Sequence, residues 1–223
     1  MTRLIVLFIL LTFSAYSQTK DPMKWSVRSD VLIPAIVSNT AMQKSMTGVF
    51  NFNMGLHRKV YKGITFGVGY QYVRFKAGLR KIYPGTSQID VHGVNARLAY
   101  EWEQDKSVFA LGFQSSYNTL LFTRLQQASL PASVLNTNAI SLEPCLHYYF
   151  KPNDKIAIGF AASYQNLAYS FNPYYLALDK SITSLKVGDE KGFTQTINIG
   201  FSIIVGLGKS ATGGELGGNN EEW

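Results

Sequence analysis

Few residues in this sequence have the types and spacing that metal or cofactor chemistry needs. The 223-residue chain has three histidines, His57, His92 and His147, and one cysteine, Cys145. Neither these residues nor the scattered acidic residues show the short, repeated spacing of metal-ligand motifs. The sequence also has no glycine-rich loop that could hold phosphate groups. We therefore predict neither a metal site nor a cofactor.

One short segment brings together the side-chain types of a hydrolytic site. Ser87, Asp90 and His92 supply a hydroxyl, a carboxylate and an imidazole within six residues. However, the order Ser-x-x-Asp-x-His matches no recognised sequence motif of a catalytic nucleophile and its base. Such a group also arises easily by chance in a polar loop. We predict that the protein is not an enzyme.

A second group of ionisable residues lies within segments that otherwise alternate apolar and small side chains. Charges buried without partners are costly, so these residues should pair with one another if they face a closed interior. We predict a structural ion-pair network, with Arg97 bonded to at least one of Asp30, Glu101 or Glu143. The members of the predicted network are Arg28, Asp30, Arg97, Glu101, Glu143 and His147.

Apolar residues recur at every second position through most of the chain, which is the period of a half-buried β-strand. In the last such segment, Ile197, Ile199, Phe201 and Ile203 alternate with Asn198, Gly200 and Ser202. The pattern predicts eight strands near residues 25–33, 50–57, 64–72, 94–102, 109–117, 140–150, 156–165 and 196–207.

The predicted connections alternate between short and long. Short turns follow strands two, four and six, whereas the other links are longer, at about 38–45, 76–91, 123–138 and 172–192. Short turns at one end and long loops at the other are typical of an up-and-down outer-membrane barrel. With eight strands, both ends of the mature chain should lie at the short-turn, periplasmic side.

Composition favours a barrel with its apolar face outside. Only 16% of the residues are charged while 46% are hydrophobic and 13% aromatic, and the mean hydropathy is +0.01. The face opposite the apolar one is mostly Gly, Ala, Ser, Thr, Asn and Gln, rather than the Lys and Glu of a solvated exterior. Aromatic residues also gather towards strand ends, as in interfacial girdles. The predicted girdles are Trp25, Tyr61, Tyr100, Trp102, Tyr148 and Phe150 at one end and Tyr70, Tyr72, Tyr164 and Phe171 at the other.

The N-terminal residues 1–17 have the pattern of a secretory signal peptide. Arg3 precedes an apolar region of ten residues, Leu4 to Phe13, and Ala15 and Ser17 occupy the small-residue positions before a cleavage site. This would leave Gln18 as the first mature residue, which is similar to the processing of Bacteroidota envelope proteins. We therefore predict a signal peptide at 1–17, a barrel at 18–208 and a flexible, Gly-rich periplasmic tail at 209–223.

With this pattern, the chain resembles the eight-stranded outer-membrane barrels of the outer-membrane protein A, X and W families. The last strand also resembles the insertion signal of such barrels, at Asn198, Gly200, Ile203 and Val205. The tail beyond residue 208 departs from the family pattern, in which the chain stops on an aromatic residue. The resemblance implies an all-β transmembrane barrel in the outer membrane of a Gram-negative bacterium.

For function, the resemblance permits several roles. We predict a non-enzymatic barrel with a structural or partner-binding role, as a subunit of an envelope assembly for secretion or uptake. The alternatives are passage of small apolar molecules, for which Val73, Phe75, Leu120 and Phe122 would line the lumen, and lipid A modification. Partners would be outer-membrane lipid and an envelope protein that contacts the long loops or the tail, but no nucleic acid. Basic residues that could contact lipopolysaccharide are Arg74, Lys76, Arg80 and Lys81.

Overall fold

A computed structural model describes residues 23–77, 87–124, 133–172, 176 and 192–208. The predicted signal peptide and tail lie outside these residues. The elements are β1 (Trp25–Ile36), α1 (Thr40–Ser45), β2 (Met46–Tyr61), β3 (Ile64–Ala77), β4 (Gln88–Gln104), β5 (Ser107–Arg124), β6 (Ser133–Phe150), β7 (Ile156–Leu167) and β8 (Thr194–Gly206). Within these described residues, no helix is long and apolar enough to cross a membrane.

The eight strands form one closed antiparallel barrel in sequence order, which confirms the predicted fold class. Closure is made by β1 and β8, which pair from Ser26 opposite Gly206 to Ile36 opposite Thr196. Both ends of the barrel domain therefore lie at the end with the short turns. Lys62 and Asp105 have positive φ in two of those turns, with Gly63 beside the first.

As predicted, successive side chains of each strand alternate between the outer and the inner face of the barrel wall. Outward positions carry large exposed apolar residues, and inward positions carry buried polar and small ones. Residues of the outward belt include Val31, Ile33, Met54, Phe66, Val68, Val94, Leu98, Leu111, Phe113, Ile140, Leu146, Phe160, Ile199 and Phe201. An apolar exterior over a polar interior is the arrangement of a barrel in lipid.

The interior has three layers along the barrel axis. A small apolar cluster lies at the short-turn end and consists of Met23, Val108, Ala110, Tyr149, Ala157 and Ile204. Charged and amide side chains fill the middle of the lumen. A larger apolar cluster at the long-loop end, the mouth cluster, consists of Ala41, Met42, Met46, Val73, Phe75, Ile89, Val91, Leu120, Phe122, Ala139, Leu167, Phe171 and Leu176.

The short helix α1 closes part of the long-loop end, where the sequence predicts only a loop. Asn39 caps the helix, since its side-chain oxygen accepts the Met42 N–H at 3.1 Å. The same region is bonded to the residue just before β8, because the Ser38 hydroxyl donates to the Phe193 carbonyl at 2.7 Å. Six residues are too few for the helical period to be visible in the sequence.

The strands at the long-loop end are longer than predicted. β4 begins at Gln88, β5 continues to Arg124 and β6 begins at Ser133, so these strands include residues that the sequence assigns to the loops 76–91 and 123–138. The sequence predicts Phe171 in the aromatic girdle at the long-loop end, but the residue is fully buried in the mouth cluster. The cause is that the chain turns inward after β7 and packs over the lumen.

Candidate functional site

The first lumen contact joins β1 to β4 near the short-turn end. Arg28 forms a buried ion pair with Glu101, and the Thr65 hydroxyl donates to the same carboxylate at 2.9 Å. Both charged side chains are 3% exposed. This contact crosses the lumen because β2 and β3 lie between the two strands in the wall.

The second lumen contact is centred on Asp30. Arg97 Nη1 lies 3.5 Å from Asp30 Oδ2, and His147 Nε2 lies 3.5 Å from Oδ1. Arg97 also reaches the imidazole of His147, with Nη2 2.9 Å from Nδ1. The Ser202 hydroxyl donates to Asp30 and lies 2.9 Å from the Tyr149 hydroxyl. The cluster thus connects β1, β4, β6 and β8.

Glu143 on β6 is held differently, by four neutral donors. Gln71 and Gln114 donate to Oε2 at 3.2 and 3.3 Å. Asn198 donates to Oε1 at 3.1 Å, and the Ser163 hydroxyl donates to the same oxygen. Among the described residues, Glu143 has no ion pair, so this amide cage takes the place of a counter-ion.

The amide cage has no distinct motif in the sequence. Its members do occupy inward positions of the alternation, so a search for long amide side chains on the small-residue face would have found Gln71 and Gln114. Their shared partner could not be found that way. Gln114 lies opposite Glu143 on the neighbouring strand, which depends on the β5–β6 register, and Gln71 on β3 reaches Glu143 only across the lumen.

The lumen has little free space in its charged layer. A cavity of about 10 Å³ touches Asp30, Arg97, Glu143 and His147. That volume holds about one water molecule. With apolar clusters above and below this layer, the described part of the lumen is filled by packed side chains.

Two of the basic residues predicted to contact lipopolysaccharide, Arg74 and Lys76, lie on the outward face of β3. Arg74 Nε bonds to Asp90 Oδ1 at 2.7 Å, and its guanidinium lies 5.5 Å from the centre of the Tyr72 ring. Lys76 is exposed two residues further along the strand. Arg80 and Lys81 lie outside the described residues.

The structure separates the three residues of the Ser-Asp-His segment. Ser87 is buried, and its hydroxyl lies 3.5 Å from the Leu176 carbonyl. His92 points outward, where Nδ1 lies 2.5 Å from the Tyr70 hydroxyl. Asp90 accepts from Tyr72, Arg74 and Gln88 instead of His92. The described residues also hold no group of three potential metal ligands.

The residues of the predicted insertion signal occupy both faces of β8. Asn198 points inward into the amide cage, whereas Ile203 and Val205 point outward. Gly200 lies against β1, where an added Cβ would be 2.1 Å from the Val31 carbonyl oxygen. Any larger residue there would push the two closing strands apart.

At the long-loop end, strand β6 extends further than its pairing with β7. The top of the β6–β7 ladder is Ser141 opposite Leu167, with one further bond from the Ala168 N–H to the Ile140 carbonyl. The seven residues 133–139 of β6 extend beyond this point and pair, among the described residues, only with β5. Val134 and Leu135 in this segment are 65% and 46% exposed. We call residues 133–139 the free edge.

The closed eight-stranded barrel with its apolar exterior defines an outer-membrane β-barrel. No protein-family model matches the sequence, and no curated protein matches it significantly. Among solved structures, the fold is similar to that of Neisserial surface protein A, with 12% identity and a TM-score of 0.54, over 82% of this chain and 97% of that one. The likeness establishes the fold.

Two further structures match with lower TM-scores. The N-terminal β-barrel domain of Pseudomonas aeruginosa OprF is 8% identical with a TM-score of 0.44, over 82% of this chain and 98% of that one. The attachment invasion locus protein Ail of Yersinia pestis, in complex with a heparin analogue, is 10% identical with a TM-score of 0.43, over 81% and 97%.

Proposed function

We propose that the protein is a non-enzymatic outer-membrane barrel that binds an envelope protein through the free edge of β6. The observation that carries this proposal is the edge of β6 at residues 133–139, which among the described residues pairs only with β5. A strand edge offers a row of backbone N–H and C=O groups on which an extended segment of another protein can pair. At about 3.3 Å per residue, the edge is roughly 20 Å long.

The side chains of the free edge fit such a partner. Val134 and Leu135 give it exposed apolar contacts, while Asn136 and Asn138 are polar and exposed. No lysine or proline lies in 133–139, and these are the residues with which proteins usually block open edges. We infer that this edge is kept available for pairing.

The packed lumen supports a binding role over the alternative of passage. Val73, Phe75, Leu120 and Phe122 lie inside the barrel as predicted, but they are packed in the mouth cluster with Met42 and its neighbours. A route for small apolar molecules would require this cluster to open. The separation of Ser87 from His92 likewise supports a role other than lipid A modification.

The orientation and the lipid contacts belong to the same proposal. We place the short-turn end, and with it both ends of the mature chain, in the periplasm, because long loops of such barrels face outward. Arg74 and Lys76 then lie at the level of lipopolysaccharide headgroups, while a contact of Arg80 and Lys81 with lipopolysaccharide stays a prediction from the sequence. Membership of a larger secretion or uptake assembly, and an origin in Bacteroidota, remain predictions from the sequence.

Site-specific photo-crosslinking in intact cells tests the proposal. A photoreactive residue at Val134 or Asn136 should crosslink to one discrete envelope protein. The same residue at Thr47, an exposed position on the β2 side of the same rim, should not. The double variant V134K/L135K should remove the crosslink from Asn136 without loss of the folded barrel. Equal crosslinking from Thr47 and Asn136, or none from either position, would contradict the proposal.

A further inference from the structure

The short-turn end of the barrel carries an excess of positive charge. Position 24 and the segments 58–62, 103–106 and 151–155 contain seven basic and three acidic side chains. Each of the three short turns or its flank contributes a lysine, at Lys62, Lys106 and Lys155. The positive charge is therefore distributed around the whole circumference.

Four of the lysines at this end form two contrasting pairs. Lys59 and Lys151 both bind Glu103, at 2.6 and 2.8 Å, and line a small cavity at the end of the lumen together with Arg28. Lys62 and Lys106 are exposed in their turns, and neither has an ion pair with a described residue. The first group belongs to the lumen end, whereas the second is available to an external partner.

Aromatic rings lie on the outward face directly beside these turns. Tyr100, Trp102, Phe109 and Tyr148 form a continuous row across β4, β5 and β6, with ring centres 6.1, 5.6 and 4.9 Å apart. Such a row marks the depth at which hydrocarbon gives way to lipid headgroups.

Two of the cations are positioned by aromatic rings at the same level. Arg58 lies 5.2 Å from the centre of the Trp25 ring, and Lys62 Nζ lies 5.4 Å from that of Tyr61. The rings thus hold cationic groups at the height of lipid phosphates.

We propose that the outward cations of the short-turn end form a collar that selects anionic phospholipids from the surrounding leaflet. A folded protein partner would need its contacts on one side, whereas these charges encircle the barrel at one height. Lipid headgroups surround the barrel on all sides at that height, so their distribution matches that of the charges. With the orientation proposed above, the lipids are those of the periplasmic leaflet.

Spin-label electron spin resonance measures this selection directly. The barrel is reconstituted in phosphatidylcholine membranes, and its association with spin-labelled phosphatidylglycerol is compared with that of spin-labelled phosphatidylcholine. One lysine near an anionic group changes association by up to about five-fold, so we expect a two- to five-fold preference for phosphatidylglycerol. Raising the salt concentration to 0.5 M should remove most of the preference, because exposed charges are screened.

Two charge-matched variants locate the site. K62Q/K106Q should lower the preference by about half, since Arg58 and Lys155 remain, whereas K59Q/K151Q, which removes the same charge at the lumen end, should leave it at the wild-type value. No preference in the wild-type barrel, a preference that survives high salt, or an equal fall in both variants would overturn the proposal. Because the membranes are symmetric and free of other proteins, the result does not depend on the free edge or on the proposed orientation.

Discussion

The guanidinium of Arg97 on β4 and the carboxylate of Asp30 on β1 meet across the lumen, with Nη1 3.5 Å from Oδ2. The two strands are separated by β2 and β3 in the wall, so the contact ties opposite sides of the barrel together. His147 completes the group from β6, with Nε2 3.5 Å from Asp30 Oδ1. Interior contacts of this kind stabilise the cross-section of the barrel, which backbone pairing alone leaves deformable.

Removal of Arg97 should therefore weaken the whole barrel. R97A leaves Asp30 buried without its cation, and we expect the free energy of unfolding to fall by about 3–5 kcal/mol. Urea unfolding in lipid vesicles and the temperature of heat-modified gel mobility measure the effect. The exposed turn variant K106A should change stability by no more than about 0.5 kcal/mol. If R97A unfolds like K106A, water rather than Arg97 stabilises the Asp30 charge.

Lysine substitutions along β8 should report the depth of each outward position in the membrane. Ile199 lies near the middle of the strand and is 61% exposed, whereas Val205 lies one residue from its end. We expect I199K to lower the free energy of unfolding by about 2–4 kcal/mol and V205K by about 0–1 kcal/mol. Ile203 should give an intermediate value. Equal costs at the three positions would contradict the placement of the apolar belt.

The number of strands, their faces and the apolar exterior could be predicted because each depends on a period of two in the sequence. The free edge could not be predicted, because the outward residues of that part of β6 include Asn136 and Asn138 and the alternation ends there. The length of β6 in this region depends on its pairing with β5, and the hydropathy pattern of the sequence carries no information about that pairing.

Partners within the lumen could be predicted by type but not by identity. Burial and alternation indicate that Arg28, Arg97 and the acidic residues face one another, since unpaired charges would be too costly there. Which side chains meet depends on the register and stagger of eight strands around a closed wall. For that reason the amide partners of Glu143 were not anticipated, although their inward positions were.

The amide cage around Glu143 should be sensitive to the loss of its acceptor. E143L leaves the donors of Gln71, Gln114, Ser163 and Asn198 without that partner, and each buried orphan costs about 1–3 kcal/mol. We expect a loss of at least about 3 kcal/mol in the free energy of unfolding. E143Q retains one acceptor oxygen and should lose about half as much.

A surface control separates this effect from a general loss of polarity. Asn136 is exposed on the free edge, and N136A should leave stability within about 0.5 kcal/mol of the wild type. If E143L proved as stable as N136A, the four donors would have found other partners. The cage would then be a consequence of packing rather than a stabilising contact.

Gly67 and His57 should be energetically coupled, because the imidazole of His57 on β2 occupies the space beside Gly67 on β3. A Cβ added at Gly67 would lie 2.2 Å from Nδ1 and 2.6 Å from Cγ of that ring. G67A should therefore lower the free energy of unfolding by about 1–3 kcal/mol, as overpacking does in other cores. In an H57A background, the same substitution should cost much less, giving a coupling energy of about 0.5–3 kcal/mol in a double-mutant cycle. Additive effects of the two changes would show that the ring moves aside freely. The expected coupling has a simple cause, since an eight-stranded lumen is only as wide as its side chains and each bulky inward residue needs a small one opposite it.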